Sequence, residues 1–147
     1  MTMKKNWLSS ATLVVLALLL AACGPAGSGS EGNQGGEFPK NADGYADISV
    51  EQLAGMLEET NLTLVNVHIP YEGEIAQTDL FIPFDQIAGY QDRLPDKDAP
   101  IVLYCRSGSM STSAAQELAA LGYTNVLEVD GGFNAWKAAG YELLDKQ

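Results

Sequence analysis

One cysteine of this chain lies in a segment whose residue order favours nucleophilic chemistry. Ile101–Tyr104 is a short apolar run, typical of a buried strand, and Cys105 follows it directly. A small polar loop spans Arg106–Met110, and helical spacing of apolar residues begins at Ser111. Loop N–H groups and a helix dipole converge on one spot, which lowers the pKa of a thiol placed there. The segment predicts a reactive thiolate at Cys105, the alternative being a small core residue that ends a strand.

The elements that must position this loop alternate between strands and helices. Besides Ile101–Tyr104, the strand-like runs are Leu62–Val67 and Asn125–Val129. Predicted helices begin at the capping-box pattern Ser49–Gln52, at Asp85 as an N-cap, at Ser111 and at Phe133. The alternation predicts an α/β fold with a mainly parallel sheet and helices on both faces. In such sheets ligands bind at the carboxyl ends of the strands, where Cys105 and His68 are both expected.

The start of the chain does not resemble folded protein. Lys4 and Lys5 precede an apolar run, Trp7–Ala22, which is short for a transmembrane helix and has the residue order of a secretory signal. The run ends in Leu-Ala-Ala-Cys23-Gly, which resembles the lipobox of bacterial lipoproteins. That resemblance implies that Cys23 is lipidated and becomes the mature N-terminus. The alternatives are an ordinary signal peptide, or an uncleaved anchor, with an incidental cysteine.

Three regions are therefore expected along the chain. They are a signal peptide at residues 1–22, the lipidated cysteine with a flexible Gly/Ser-rich tether at 23–44, and one folded domain at 45–147. The domain is expected to be lipid-anchored to the cell membrane, on its extracytoplasmic side.

Charge and cysteine count narrow the classes of partner. The net charge of −11 disfavours nucleic acid and anionic membrane surfaces as partners. If Cys23 is lipidated, Cys105 is the only thiol, so neither an internal disulfide nor a thiolate metal cluster can form. One histidine and one cysteine are too few ligands for a metal site, and no metal or cofactor is expected.

Three motifs carry a family resemblance. They are the Cys105–Met110 loop before a helix, the Leu-Gly-Tyr-Thr-Asn-Val-Leu segment at Leu121–Leu127, and the Gly-Gly-Phe-Asn-Ala-Trp segment at Gly131–Trp136. With them, Ala46–Leu144 resembles a single-domain rhodanese (sulfurtransferase) module. The resemblance implies that Cys105 takes a sulfane sulfur from a donor such as thiosulfate, forms a persulfide, and passes the sulfur to cyanide or a thiol. The implied substrate-binding residues are Arg106, Ser107, Gly108, Ser109, Met110 and Ser111.

The chain departs from the family pattern in three places. Asn66-Val67-His68 stands where the family usually has Asp-Val-Arg, which removes a charged pair; an Asn66–His68 hydrogen bond is a possible substitute. Ile75–Phe81 replaces the usual His-Ile-Pro-Gly-Ala segment, and Met110 stands where thiosulfate-using members often carry a basic or hydroxyl residue. The departures leave open a non-catalytic module that binds a partner or senses sulfur species. A cysteine phosphatase or arsenate reductase is disfavoured, because Ser111 stands where Cys-x5-Arg needs arginine.

Several other side chains have a functional and a structural interpretation. His68 could carry a proton near Cys105, but a structural role against the following loop is favoured. Phe133 and Trp136 are interpreted as core residues. The acidic residues after the second predicted strand are interpreted as solvated; they are Glu72, Glu74 and Asp79.

Overall fold

Five parallel strands form one sheet at the centre of the described chain. The computed structural model of the protein describes residues 38–59 and 61–145. The strands are β1 (Ala46–Ile48), β2 (Thr63–Asn66), β3 (Leu80–Phe81), β4 (Ile101–Tyr104) and β5 (Val126–Val129). Their order in the sheet is β1-β5-β4-β2-β3, and every neighbouring pair is parallel. The predicted parallel sheet is confirmed, with two short edge strands, β1 and β3, that the sequence pattern did not indicate.

Within the described residues, three α-helices and one 3-10 helix cover the sheet. They are α1 (Val50–Glu59), the 3-10 helix Phe84–Arg93, α2 (Ser109–Ala120) and α3 (Gly132–Ala138). The capping box before α1 is confirmed: Ser49 N–H donates to Gln52 Oε1 over 2.8 Å, and Gln52 N–H donates to Ser49 Oγ over 3.3 Å. The predicted cap at Asp85 is wrong. Pro83 takes the cap position without a side-chain hydrogen bond, and Asp85 lies in the first turn.

Alternation along β4 divides its side chains between two cores. Ile101, Leu103 and Cys105 face the cluster that α2 and the 3-10 helix cover. Val102 and Tyr104 face the cluster that α1 and α3 cover, which contains Phe133 and Trp136. The prediction of helices on both faces is confirmed, and Phe133 and Trp136 are core residues as expected.

The segment between β2 and β3 is tied to the domain by buried hydrogen bonds. The Tyr104 hydroxyl accepts the Ile75 N–H over 3.0 Å and lies 2.6 Å from the Thr78 hydroxyl. Tyr104 thus connects the central strand, one residue before the nucleophile, to this segment.

Acidic residues of the same segment have structural partners. Glu74 is only 6% exposed, and its main chain forms an antiparallel bridge with Leu144. Asp79 Oδ2 accepts the Leu64 N–H over 2.8 Å. The interpretation as solvated is therefore wrong for Glu74, which is buried, whereas Asp79 is exposed as expected and also accepts a main-chain hydrogen bond.

The residues immediately before Tyr45 are packed. Phe38 contacts the core on the α1 and α3 face, and Asn41 N–H donates to the Tyr45 carbonyl over 2.7 Å. The described end of the stretch expected to be a flexible tether, residues 38–44, is therefore packed against the domain. The predicted signal peptide, Cys23 and most of the tether lie outside the described residues. Within residues 38–59 and 61–145, no helix is long and apolar enough to cross a membrane.

Candidate active site

Cys105 lies at the carboxyl end of β4, with its thiol among hydrogen-bond donors. The residue is 1% exposed, and it is the free cysteine of the described chain. Gly108 N–H donates to Sγ over 3.1 Å, and the Ser111 hydroxyl donates to Sγ over 3.4 Å. Both distances are within the range for a sulfur acceptor, so the loop is wrapped around the sulfur atom.

Opposing effects act on the proton affinity of this thiol. Burial raises the pKa of Cys105, because it removes the thiolate from water. The Ser111 hydroxyl and the main-chain N–H groups of Ser111, Ser107 and Gly108 lower it, and together they outweigh burial. The pKa of Cys105 therefore lies below its ordinary value of 9.0, and the site favours the nucleophilic thiolate.

Gly108 produces the turn that brings these donors to the sulfur. Its φ of 103° is in the region that side-chain-bearing residues avoid, and it precedes the first residue of α2. No side chain caps α2, so the first N–H groups of the helix are free to face Sγ. The predicted anion cradle is thus built from the loop and the helix N-terminus together.

Helix α3 holds the other side of the loop. Phe133 N–H donates to the Cys105 carbonyl over 2.9 Å, and Asn134 N–H donates to the Arg106 carbonyl over 3.0 Å. The approach requires Gly132, whose φ is 53° and whose absent Cβ would overlap the Cys105 carbonyl oxygen. With two carbonyls bound to α3, the loop presents its N–H groups to the thiol.

Glu128 is a site residue that sequence reasoning missed. It lies on β5, is 1% exposed, and accepts a 2.5 Å hydrogen bond from the Ser111 hydroxyl. Its pKa is raised from an ordinary 4.5 to about 7: burial is the largest cause, the hydrogen bond from Ser111 opposes it, and the charges of Asp130 and Asp47 add to it. The available signal was a lone carboxylate in Val-Leu-Glu-Val, a strand expected to be buried on both faces.

Glu72 lies between two site side chains. Its Oε1 is 3.2 Å from Arg106 Nη1, and its Oε2 is 3.3 Å from His68 Nε2. Glu72 is exposed, as expected, but its carboxylate also contacts two site side chains. The side chain of Arg106 is half exposed and points towards Glu72, so its charge is partly neutralised beside the loop.

His68 and Asn66 support the segment that follows β2. The His68 ring packs edge-on against Phe133, with 5.4 Å between ring centroids. Its approach to Glu72 has the distance of an ion pair without hydrogen-bond alignment, and Nδ1 has no hydrogen-bond partner within the described chain. Asn66 Oδ1 accepts the main-chain N–H of His68 over 3.0 Å, and its Nδ2 donates to the Gly73 carbonyl over 3.0 Å. An Asn66–His68 hydrogen bond thus exists, but it uses the histidine main chain.

The remaining loop residues differ in what they present. Met110 is half-buried and packs against the core on the α2 face. Ser107 and Ser109 are exposed, and Ser107 contributes its main-chain N–H to the thiol. Of the loop serines, Ser111 is the one whose hydroxyl donates to Sγ.

Comparison with known proteins identifies the relatives of this site. Residues 49–139 match the rhodanese-like domain family. A sulfurtransferase from Allochromatium vinosum is 35% identical over 103 residues, covering 67% of this chain and 94% of that protein. The thiosulfate sulfurtransferase GlpE from Tolumonas auensis is 27% identical over 95 residues, covering 63% of this chain and 89% of that protein. A rhodanese-like domain protein from Staphylococcus aureus has a TM-score of 0.59 at 28% identity, covering 69% of this chain and 98% of that one.

Proposed function

Since the chain belongs to the rhodanese-like domain family, we propose that it is a sulfurtransferase that carries a sulfane sulfur on Cys105. The observation that supports this most is the ring of donors around Sγ, with Gly108 N–H at 3.1 Å and the Ser111 hydroxyl at 3.4 Å. The donors lower the pKa of the thiol, and the same donors suit the negative outer sulfur of a persulfide.

The proposed reaction has two displacement steps. The Cys105 thiolate attacks the outer sulfur of a donor such as thiosulfate; the S–S bond of the donor breaks, and sulfite leaves with the electron pair. A nucleophilic acceptor, cyanide or a thiolate, then attacks the outer sulfur of the persulfide. The Cys105 S–S bond breaks with its electron pair on Cys105, which regenerates the thiolate.

The residues around Cys105 have separate proposed roles. Ser107, Gly108 and Ser111 bind the thiolate and the transferred sulfur through N–H and O–H groups, whereas Ser109 and Met110 shape the rim of the cradle. The exposed Arg106 follows Cys105, and its ion pair with Glu72 leaves only part of its charge for an anionic donor. With a net charge of −11 on the whole chain, anion binding depends on this local cradle.

His68 and Asn66 are proposed as supporting residues. His68 is buried against Phe133, and the Asn66 side chain binds the main-chain N–H of His68 and the carbonyl of Gly73. Neither residue is assigned a direct contact with the sulfur.

The domain is further proposed to be lipid-anchored at the extracytoplasmic side of the membrane. Support comes from the charged and apolar order of residues 1–22, the lipobox-like sequence at Cys23, and the Gly/Ser-rich stretch that follows. Expression of the full chain in a bacterial host, followed by separation of membranes, tests this. Cys23→Ser is expected to abolish lipid labelling and membrane retention, whereas Cys105→Ser is the matched control that retains both.

Sulfur transfer is tested with the same two variants. The full chain is incubated with thiosulfate or with a small-molecule persulfide, and the peptide that contains Cys105 is analysed by mass spectrometry. A mass gain of one sulfur on Cys105 is expected in Cys23→Ser, and no sulfur transfer is expected in Cys105→Ser. Absence of the mass gain with every donor would overturn the sulfurtransferase assignment. Formation of a persulfide that neither cyanide nor thiols discharge would instead favour a sulfur-sensing module.

A further inference from the structure

The Ser111 hydroxyl has more acceptors within reach than it has hydrogen atoms. Its oxygen is 2.5 Å from Glu128 Oε1, 3.0 Å from the Gly108 carbonyl oxygen and 3.4 Å from Cys105 Sγ. A serine hydroxyl carries a single hydrogen, so it cannot fully satisfy all three. Which acceptor receives that hydrogen depends on whether another group donates to the serine oxygen.

The protonation state of Glu128 decides this competition. An ionised Glu128 attracts the hydrogen, because a carboxylate is a stronger acceptor than a neutral thiol or carbonyl and lies nearest to the serine oxygen. A protonated Glu128 donates its own hydrogen to Ser111 Oγ, which leaves the serine hydrogen for the sulfur. The arrangement therefore pairs a neutral Glu128 with a charged Cys105, and an ionised Glu128 with a neutral thiol.

The charges that face Glu128 favour its neutral form whenever Cys105 is ionised. Asp47 is its register partner on β1, and Asp130 follows it by two residues. One oxygen of each of these three carboxyl groups lies within 4.8 Å of the others. On the β4 side its neighbour is Leu103, which carries no charge, and in the described chain no cation forms an ion pair with it. The negative charges of Asp47 and Asp130, with no compensating cation paired to Glu128 in the described chain, make a further negative charge at Glu128 costly.

We propose that Glu128 holds the proton that Cys105 releases, and that the Ser111 hydroxyl carries it between them. The Cys105 S–H bond breaks and its proton goes to Ser111 Oγ. At the same time the Ser111 O–H bond breaks and its proton goes to Glu128 Oε1. The products are a thiolate and a neutral carboxylic acid, so the pair keeps its single negative charge. Glu128 acts through Ser111 and is a positioning residue, with no contact to sulfur of its own.

The inference rests on the proposed function for its purpose, since it supplies the thiolate that attacks the donor. Its first test measures how fast iodoacetamide alkylates Cys105 in a Cys23→Ser chain, from about pH 4 to about pH 9, which spans the ordinary pKa values of a glutamate carboxyl and a cysteine thiol. In this parent chain the alkylation rate is expected to rise with pH in two steps, because coupled groups titrate in two macroscopic stages. Glu128→Gln keeps a neutral partner for Ser111. Its alkylation rate is therefore expected to rise in one step, which is complete at a lower pH than the second step of the parent. A Glu128→Gln profile that superimposes on the parent profile overturns the proposal.

The role of the carrier is tested by a double-mutant cycle. Ser111→Ala removes the hydroxyl, so Glu128→Gln in that background is expected to change the profile little. An equal effect of Glu128→Gln with and without Ser111 would show a through-space field and overturn the carrier role. Glu117→Gln is the matched control, because Glu117 is exposed on the same helix as Ser111, and it is expected to retain two steps.

Infrared spectroscopy provides a test that does not depend on Ser111→Ala, which leaves a buried carboxyl without its partner and can fail to fold. The C=O band of protonated Glu128 is identified by its absence from Glu128→Gln. It is expected to persist to higher pH in the parent than in Cys105→Ala, because the thiolate holds the proton on Glu128. Identical titration in the two chains overturns the proposal.

These measurements distinguish the failure of the inference from the failure of the proposed function. Alkylation and infrared titration require no sulfur transfer. A chain that shows coupling but forms no persulfide retains the proton exchange and loses the sulfurtransferase role. A chain that transfers sulfur without coupling loses only the proton exchange.

Discussion

The Phe133 N–H donates a hydrogen bond to the Cys105 carbonyl over 2.9 Å, so the start of α3 is joined to the nucleophile loop. Gly132 precedes Phe133 and lies against the same carbonyl, where a Cβ would overlap the oxygen. The cradle around the thiol therefore depends on a residue 27 positions later in the chain, counted from Cys105 to Gly132. This relationship explains why α3 begins with a glycine, Gly132.

Gly132→Ala is expected to destabilise the domain and disturb the thiol. The change combines a left-handed backbone with overlap against the loop, a cost of about 3 kcal/mol or more. Gly140→Ala is the matched control: its φ is also positive, but no atom lies within 4 Å of the added Cβ. Only the backbone cost of about 1–2 kcal/mol is expected there. Urea denaturation measures both, and equal losses would show that the contact with the Cys105 carbonyl is unimportant.

Glu128 is expected to make stability fall as the pH rises. Its pKa is raised from 4.5 to about 7 in the folded protein, so between these values the folded state binds more protons than the unfolded state. The stabilisation from this proton is complete below pH 4.5 and is lost through pH 7. The loss amounts to about 3 kcal/mol at 1.36 kcal/mol per pKa unit.

Denaturation of Glu128→Gln across the same pH range checks this prediction. The difference in unfolding free energy between the variant and the parent should grow in favour of the variant as the pH rises. Glu117→Gln, at an exposed position, should show no such growth. A difference for Glu128→Gln that is independent of pH would contradict the predicted proton linkage.

His68 is expected to matter for stability more than for turnover. His68→Ala removes a buried ring from its edge-on contact with Phe133, at a cost of about 2–3 kcal/mol. His68→Phe keeps the ring and loses the approach to Glu72, so a cost below about 1.5 kcal/mol is expected. Sulfur-transfer rates per folded molecule should stay close to the parent rate in both. A well-folded His68→Phe chain with a large loss of rate would instead indicate a proton-carrying imidazole.

The hydroxyl of Tyr104 is expected to hold the segment between β2 and β3. Tyr104→Phe leaves the buried Ile75 N–H without an acceptor, which costs about 1–3 kcal/mol. Hydrogen exchange at Ile75 should become faster, together with exchange at Thr78, whose hydroxyl lies 2.6 Å from Tyr104. Tyr90→Phe, in the half-buried 3-10 helix, is the control that should leave both amides unchanged. Unaltered exchange at Ile75 in Tyr104→Phe would show that other contacts hold the segment.

The local sequence was sufficient to predict the elements that depend on residues close together in the chain. The apolar run before Cys105 coincides with β4, and the Ser49–Gln52 pattern caps α1 as predicted. Sequence patterns failed to predict the structure where contacts with another part of the chain determine it. The short strands β1 and β3 exist because partners in the sheet accept their hydrogen bonds, and three- and two-residue strands carry no periodicity of their own. Asp85 failed as a cap because Pro83 already fixes the start of that helix.

By itself the sequence determined the α/β alternation and the placement of one thiol in a small-residue loop before a helix. Both follow from contacts between residues close in the chain. The tertiary structure alone decided what surrounds that thiol. Glu128 reaches Ser111 because parallel β4 and β5 are adjacent, and Glu72 reaches Arg106 because the segment after β2 returns over the loop. Such pairings join residues 17 and 34 positions apart, and only sheet order and packing bring those distant positions together.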